Sequence, residues 1–423
     1  MLLIFCVSSG YAQNSIAPFS RYGVGDIHHY AFGRTAAMGG ASLGSRQNIQ
    51  INISNPASYN SNDTLSFIIF DFGTDATFSK YTNSTSNLKT NNANLRYFSS
   101  RMLLTKWLGA AIGIQPFSDM DYNLNSDETD AHLDDVYRQY IGKGTTSKAF
   151  LGTSVSPFKG LSIGANLNYY CGHINQYTNS SYQQANLYQT SENSKTELRD
   201  FSLNYGLQYS FKFKKDQSLT LGMTFEPEKK IKVLRSECNT QAITGTTSTL
   251  LDTTKYTRND KSGIKLPSTV GIGLSYNKQD KFEFNVDYYY AAWSNARFYD
   301  QADEHITNQS RFSAGFEFTP DAHAQKYLKR ISYRAGVHSE DSNIKLNGQT
   351  VNDRGISIGM GLPLPKSKSI ANFAVEFGEK GNLANNLIKD KYTKISLYIT
   401  IFNYWSRKTK TNTSPEGLLE STN

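Results

Sequence analysis

From Leu161 to Tyr169 the chain alternates: Leu161, Ile163, Ala165, Leu167 and Tyr169 are apolar, and Ser162, Gly164, Asn166 and Asn168 between them are small or polar. A period of two is that of an extended strand with one apolar face. The same parity sets Val270, Ile272, Leu274 and Tyr276 against Gly271, Gly273 and Ser275. It sets Phe282, Phe284, Val286, Tyr288 and Tyr290 against Glu283, Asn285, Asp287 and Tyr289, and Phe312, Ala314, Phe316 and Phe318 against Ser313, Gly315, Glu317 and Thr319. Near the end it sets Ile395, Leu397, Ile399 and Ile401 against Lys394, Ser396, Tyr398 and Thr400. Followed along the whole chain, the pattern predicts about fourteen strands. They lie near 64–73, 94–105, 108–118, 146–157, 161–175, 197–213, 218–235, 262–276, 281–293, 310–319, 331–340, 354–362, 370–380 and 391–402.

Alternation suits a soluble sandwich and a membrane barrel equally, so connection length decides between them. Long connections near 74–93, 119–145, 176–196, 236–261, 294–309, 341–353 and 381–390 alternate with short ones near 106–107, 158–160, 214–217, 277–280, 320–330 and 363–369. An even number of strands with long loops at one end and short turns at the other is the pattern of a transmembrane antiparallel β-barrel. Closure also removes the exposed edges of a long open sheet. Composition agrees: hydrophobic residues are only 38% of the 423, with 27 Tyr and 24 Phe. No apolar run reaches the roughly 18 residues of a membrane helix. Tyrosines gather toward strand ends, as at Tyr169-Tyr170 and Tyr288-Tyr289-Tyr290, where ring and hydroxyl suit the membrane interface. The last strand, Tyr392 to Phe402, has the aromatic-rich form of a terminal assembly signal, and a polar tail over 404–423 is expected to be disordered. The formal charge of +8 is spread along the chain and forms no stripe, which argues against nucleic acid.

With apolar positions toward lipid, the opposite parity places Glu283, Asp287, Glu317, Arg334, Glu376 and Lys394 in the lumen, where buried charges need partners. Arg34 and Arg46, ahead of the strands, are candidate partners. The first strands are apolar on both faces, so the inner one needs a dry cover, either the segment ahead of the strands or an apolar ligand beside it, and Phe70, Phe72, Phe98, Met102 and Leu104 are the candidate apolar pocket. In the loop after Ser126, Asp127, Glu128 and Asp130 resemble the acidic first turn of a helix, with Leu133, Val136, Tyr137, Tyr140 and Ile141 on one face. Such a helix would either collect an apolar ligand over the barrel mouth or pack on neighbouring loops.

The N-terminal stretch Met1 to Gln13, an apolar core followed by small residues, reads as a signal peptide cleaved after Ala12. Cys6 lacks the context of a lipoprotein signal, and Cys171 and Cys238 are left to pair or stay free. Between the signal and the strands, over 13–62, lies a glycine-rich segment holding Met38-Gly39-Gly40 and the turn signal Asn55-Pro56, which reads as a hatch inside a barrel spanning 63–403.

At Ala37-Met38-Gly39-Gly40-Ala41 and Asn55-Pro56-Ala57 the sequence resembles the FadL-type outer-membrane transporters of the OMPP1/FadL/TodX kind, whose barrels carry an N-terminal hatch with such elements. The resemblance implies an outer-membrane channel for passive uptake of hydrophobic compounds such as long-chain fatty acids. Ligand would be captured near the extracellular loops, held in an apolar pocket, and released as the hatch shifts or through the wall. No cofactor, metal or energy source is implied. The charged lumen and the polar loops, rich in Asn, Ser and Thr, depart from that picture. They suit relatives of Bacteroidota type that bind other outer-membrane proteins, as a subunit or docking platform of a secretion or barrel-assembly complex. A continuous apolar path would favour transport, and a plugged, charge-filled lumen scaffolding. Gly40-Ala41-Ser42-Leu43-Gly44 matches a nucleophile-elbow pattern but lacks the preceding strand and following helix of that motif. His28-His29 diverge as neighbours and make no metal pair. The chain reads as a membrane barrel and not as an enzyme.

Overall fold

A computed structural model describes residues 17–28, 31–61, 67–84, 86–130, 134–182, 188–214, 216–243, 249–278, 281–384 and 387–404. The expected signal peptide, nearly all of the expected polar tail and Leu133 lie outside the described residues. The strands are β1 (Asp26–Ile27), β2 (Phe67–Thr82), β3 (Asn87–Leu103), β4 (Leu108–Asp130), β5 (Asp134–Val155), β6 (Leu161–Tyr182), β7 (Tyr188–Lys214), β8 (Gln217–Glu226), β9 (Lys229–Ile243), β10 (Thr249–Leu266), β11 (Thr269–Lys278) and β12 (Phe282–Ala291). They continue as β13 (Arg297–Phe298), β14 (Gln309–Phe318), β15 (Ser332–Leu346), β16 (Gln349–Pro363), β17 (Ile370–Gly381) and β18 (Lys389–Tyr404). All the paired strands are antiparallel, and β2–β8, β11, β12 and β14–β18 form a closed 14-stranded barrel. Closure is by β18 on β2, with Lys389 opposite Thr82 and Tyr404 opposite Phe67.

The outer surface carries the apolar parity. Ile112, Leu151 and Leu167 sit side by side across β4, β5 and β6, and each is half exposed on the outside of the wall. A band of such residues, including Phe284, Phe316 and Ile358, continues around the barrel. This is the dry surface a bilayer requires.

Several strands run well past the 9–11 residues that cross a membrane. The β4–β5 and β6–β7 hairpins continue beyond it, so the connections expected at 119–145 and 176–196 are mostly strand. The helix expected around Val136, Tyr137, Tyr140 and Ile141 is therefore corrected to β5: Asp127 pairs with Tyr137, and Leu124 with Tyr140. Val136 turns inward, Tyr137 outward, and Tyr140 packs on the inner cluster. Val, Tyr and Ile have strand propensity, and pairing to β4 and β6 on both sides outweighs the acidic first-turn signal. Above the membrane these hairpins bury Met120, Tyr122, Tyr170, Ile174 and Leu198 against Ile231 and Trp293, capping the hairpin end of the barrel.

Two expected strands, 218–235 and 262–276, are broken at Pro227 and Pro267. Proline has no N–H for a ladder. Below the breaks β8 and β11 pair with each other, and above them β9 and β10 form a separate hairpin on the upper part of β7. The loop expected at 341–353 is a tight hairpin whose turn is Asn347-Gly348, with φ of 47° and 77°. Positive φ at both positions is what a two-residue hairpin turn needs.

Residues 31–61 fill the lumen toward the short-turn end, and residues 17–28 lie along β4 toward the hairpin end. The hatch has its own core, in which Phe32, Ile51, Ile53 and Tyr59 meet Phe67, Ile69, Tyr97 and Phe402 of the wall.

Candidate functional site

The Met38-Gly39-Gly40 element ends a 3-10 turn, Gly33–Met38, that begins inside the capping arrangement of Phe32 and Thr35. Gly40 N–H donates to the Thr35 carbonyl at 2.9 Å, and Gly39 N–H to Ser357 Oγ on β16 at 2.9 Å. Gly39 has φ of +65°, and a Cβ there would lie 2.3 Å from the Val337 carbonyl oxygen of β15. A glycine is thus required by conformation and by closeness at once. The wall is cut to match: Gly315 and Gly336 leave room for the Met38 backbone, and Gly222 for Leu43.

Asn55 and Pro56 open a second 3-10 turn, Pro56–Asn60. Asn55 is fully buried; its Oδ1 accepts from Ala57 N–H at 3.1 Å, and its Nδ2 donates to the Leu43 carbonyl at 2.9 Å. One side chain therefore caps the turn and joins the two hatch motifs. Ser162 Oγ on β6 donates to the Ala57 carbonyl at 2.7 Å.

Charges fasten the hatch at its centre. Arg34, 4% exposed, reaches Glu283 at 2.8 Å and Glu317 at 3.4 Å, and Glu317 in turn meets Arg334 at 2.5 Å. Arg334 also donates to Asn372 at 2.7 Å. Burial works against the Arg34 charge, but Glu283 and Glu317 outweigh it and raise the guanidinium pKa above its ordinary value. Glu283 additionally accepts from Ser45 at 2.7 Å and from Gln47, both in the hatch. Asp287 accepts the backbone N–H groups of Ser42 and Leu43 at 2.5 and 2.9 Å. Farther round, Glu376 pairs with Lys394 at 3.1 Å within the wall. Arg46 donates to Asn60 inside the hatch. Burial pushes the Tyr59 hydroxyl pKa up.

Other anchors had no place among the expected site residues. Arg101 on β3 donates to the carbonyls of Gln47, Asn48 and Ser58 and to Ser61 Oγ, at 2.6–3.3 Å. Arg311 on β14 donates to the Gly39 carbonyl and pairs with Glu340 at 2.7 Å, and Gln208 on β7 donates to the Leu43 carbonyl at 2.8 Å. All three share the inward parity of their strands, which is the signal that points to them.

The apolar pocket expected from Phe70, Phe72, Phe98, Met102 and Leu104 is not formed by those residues. Phe72, Met102 and Leu104 are 41%, 42% and 51% exposed on the outer wall, and Phe70 and Phe98 stack beside them. The inward face of the same strand belongs to Phe67 and Ile69, which the hatch covers. A strand apolar on both faces is explained by lipid on one side and hatch on the other.

Among the described residues, the lumen above the hatch holds cavities of about 170 and 240 Å³. The smaller is bordered by Asn166, Lys148 and Glu226, the last two 3.6 Å apart, together with the apolar side chains of Leu43, Phe117 and Trp293. The larger is bordered by Asp75, Arg96, Asp119, Glu340, Lys380 and Asp390. No cluster suited to a metal ion occurs among the described residues.

A family model, BamG, matches residues 1–412. The chain belongs to the BamG family. Solved structures extend the likeness to fold. A FadL homologue of Pseudomonas aeruginosa superposes with a TM-score of 0.57 at 10% identity, over 89% of this chain and 99% of that one. The toluene transporter TodX of P. putida superposes at 0.56 with 15% identity, over 90% and 99%. The monoaromatic hydrocarbon channel CymD does so at 0.54 with 12% identity, over 88% and 97%. A search of curated proteins finds no match. This BamG-family chain is a FadL-like outer-membrane β-barrel.

Proposed function

We propose that this chain is a non-transporting FadL-like barrel that serves as a subunit or docking platform of an outer-membrane barrel-assembly complex. The observation that carries the reading is the fastening of the hatch. Arg34, Glu283, Glu317 and Arg334 join it to β12, β14 and β15 through buried charges, and Arg101, Gln208 and Ser357 hold it on other sides. Buried polar groups of this kind exclude an apolar solute, which would strip their partners without replacing them. The larger cavity above the hatch is bordered by the charged groups of Asp75, Arg96, Asp119, Glu340 and Lys380, an unfavourable route for a hydrocarbon or a fatty acyl chain, and the smaller sets Lys148 and Glu226 among Leu43, Phe117 and Trp293. The BamG family name, which points to the Bam barrel-assembly complex, supports the same reading.

The test is purification from the native outer membrane in mild detergent, followed by native mass spectrometry. The proposal expects protein partners in fixed stoichiometry and a barrel mass with no apolar adduct. A lone barrel carrying fatty acid or another hydrophobic compound would refute it and make the chain an uptake channel.

A further inference from the structure

The barrel wall is not hydrogen-bonded throughout. β3 runs from Asn87 to Leu103, but its ladder with β4 covers only Phe98 to Leu103, opposite Ile114 to Gly109. Two local features end it there. Pro116 in β4 offers no N–H, and the β4–β5 register shifts at that proline. On the other side the β2–β3 register shifts between Gly73 and Thr74, leaving Arg96 as the extra residue. Beyond this point β4 does not stay bare. Its freed edge is taken by the chain's own N-terminal segment: Asp26 and Ile27 pair with Asp119 and Ser118, Ala17 N–H donates to the Asp121 carbonyl at 2.7 Å, and His28 N–H to the Phe117 carbonyl at 3.1 Å.

The facing edge of β3 has no such cover among the described residues. From Asn87 to Tyr97 its ladder is with β2 alone, and only side chains cross the gap, through Arg96 to His28 Nδ1 at 3.1 Å and His28 Nε2 to Asp119 at 2.6 Å. About ten residues of β2 counted from Ile68 span the bilayer, and Phe78 stands opposite Asn91. Asn91 to Tyr97 therefore lies within the half of the membrane on the hairpin side, where a lipid chain cannot satisfy backbone N–H and C=O groups. The outer surface beside the gap is also unlike the rest of the band. Asn91, Ala93 and Thr74 are exposed there, and Leu95, at 74%, is the most exposed large apolar side chain of the described residues.

We infer that the free edge of β3, Asn87–Tyr97, is a docking edge for one extended strand of a second outer-membrane polypeptide, which continues the β2–β3 sheet by backbone pairing. The occupant follows from the edge itself. A row of alternating donors and acceptors is matched by another strand's backbone and by nothing in the lipid, and Leu95 and Ala93 give that strand an apolar side to lie against. The inference rests on the partner-binding function proposed above and gives it a contact surface.

The test places a photo-crosslinking phenylalanine analogue singly at Asn91, Ala93 and Leu95 of the full chain in its native membrane, with Phe316 and Ile358 on other parts of the wall as controls. The expected result is crosslinks from the three edge positions to one segment of one partner. The crosslinked residue should step by two along that segment as the probe steps by two, and the controls should give none. Adducts with lipid alone, with residues 17–28 of the same chain, or with a partner but without the two-residue step, overturn it. Asn92→Pro and Ala93→Pro are run alongside. One of them removes an N–H directed at the free edge, and it should abolish the crosslink from Leu95 while the barrel keeps its heat-modifiable mobility in detergent gels. If partners co-purify but the stepped crosslinks are missing, the docking edge is wrong and the subunit reading stands. If the barrel is recovered alone, the subunit reading fails as well.

Discussion

Arg34 offers the sharpest test of how the hatch is held. Its guanidinium lies between Glu283 at 2.8 Å and Glu317 at 3.4 Å, and all three groups are largely buried. Replacing Arg34 by Met keeps much of the side-chain volume but leaves both carboxylates facing inward, with Arg334 still on Glu317. Removing one partner of a buried ion pair typically costs about 3–5 kcal/mol. The loss falls on the hatch, because the fourteen barrel strands are joined by their own ladders. At about 1.4 kcal/mol per tenfold, hatch opening should become roughly two to four orders of magnitude more frequent. Hydrogen–deuterium exchange reads this directly at Gly40, Ser42 and Leu43, whose N–H groups bond to Thr35 and Asp287. Exchange in β15 and β16 should stay unchanged. Glu283→Gln alone and combined with Arg34→Met completes a double-mutant cycle, with an expected coupling of about 1–3 kcal/mol. Hatch amides that exchange in Arg34→Met within about threefold of wild type, which is under ~0.7 kcal/mol, would refute the view that these charges fasten the hatch.

The other predictions concern single features. Gly39→Ala should loosen the hatch by more than the about 1–2 kcal/mol of a left-handed alanine, because its Cβ meets the Val337 carbonyl at 2.3 Å. Gly40→Ala, whose nearest neighbour would be 3.7 Å away, should show the conformational cost alone in the same exchange experiment. Asn55→Ala removes a cap and leaves the Leu43 carbonyl with one donor fewer, at an expected cost of about 1–3 kcal/mol, measured by protease access to the hatch. Leu151→Arg places a charge on the lipid face beside Ile112 and Leu167 and should destabilise folding into vesicles by about 2–4 kcal/mol, read from denaturant titration. Cys171 and Cys238 are both free, so a maleimide should label both in denaturant without prior reduction.

The barrel was legible because a membrane wall repeats one rule. Lipid outside and hatch or water inside impose the same parity on every strand, so the positions of Ile112, Phe284 or Ile399 can be read one residue at a time. The inward direction of Glu283, Asp287 and Glu317 follows from the same parity. Arg101 and Arg311 obey it too and could have been named with them. The Asn347-Gly348 turn and the breaks at Pro227 and Pro267 also had local signals, a positive-φ dipeptide and a missing N–H.

What local pattern could not decide was which surface each face meets. Phe70 and Phe72 look the same in sequence whether they line a pocket or face lipid, and only the hatch, arriving from residues 31–61, assigned the inner side to Phe67 and Ile69. Val136 to Ile141 suit a helix face as well as a strand, and pairing with β4 and β6 made them strand. The sequence by itself determined the barrel and its charged lumen, because these rest on periodicity and connection length. Tertiary structure decided the fastening of the hatch, the height of the hairpins and the unpaired edge of β3, because each depends on which distant backbone comes within hydrogen-bonding distance.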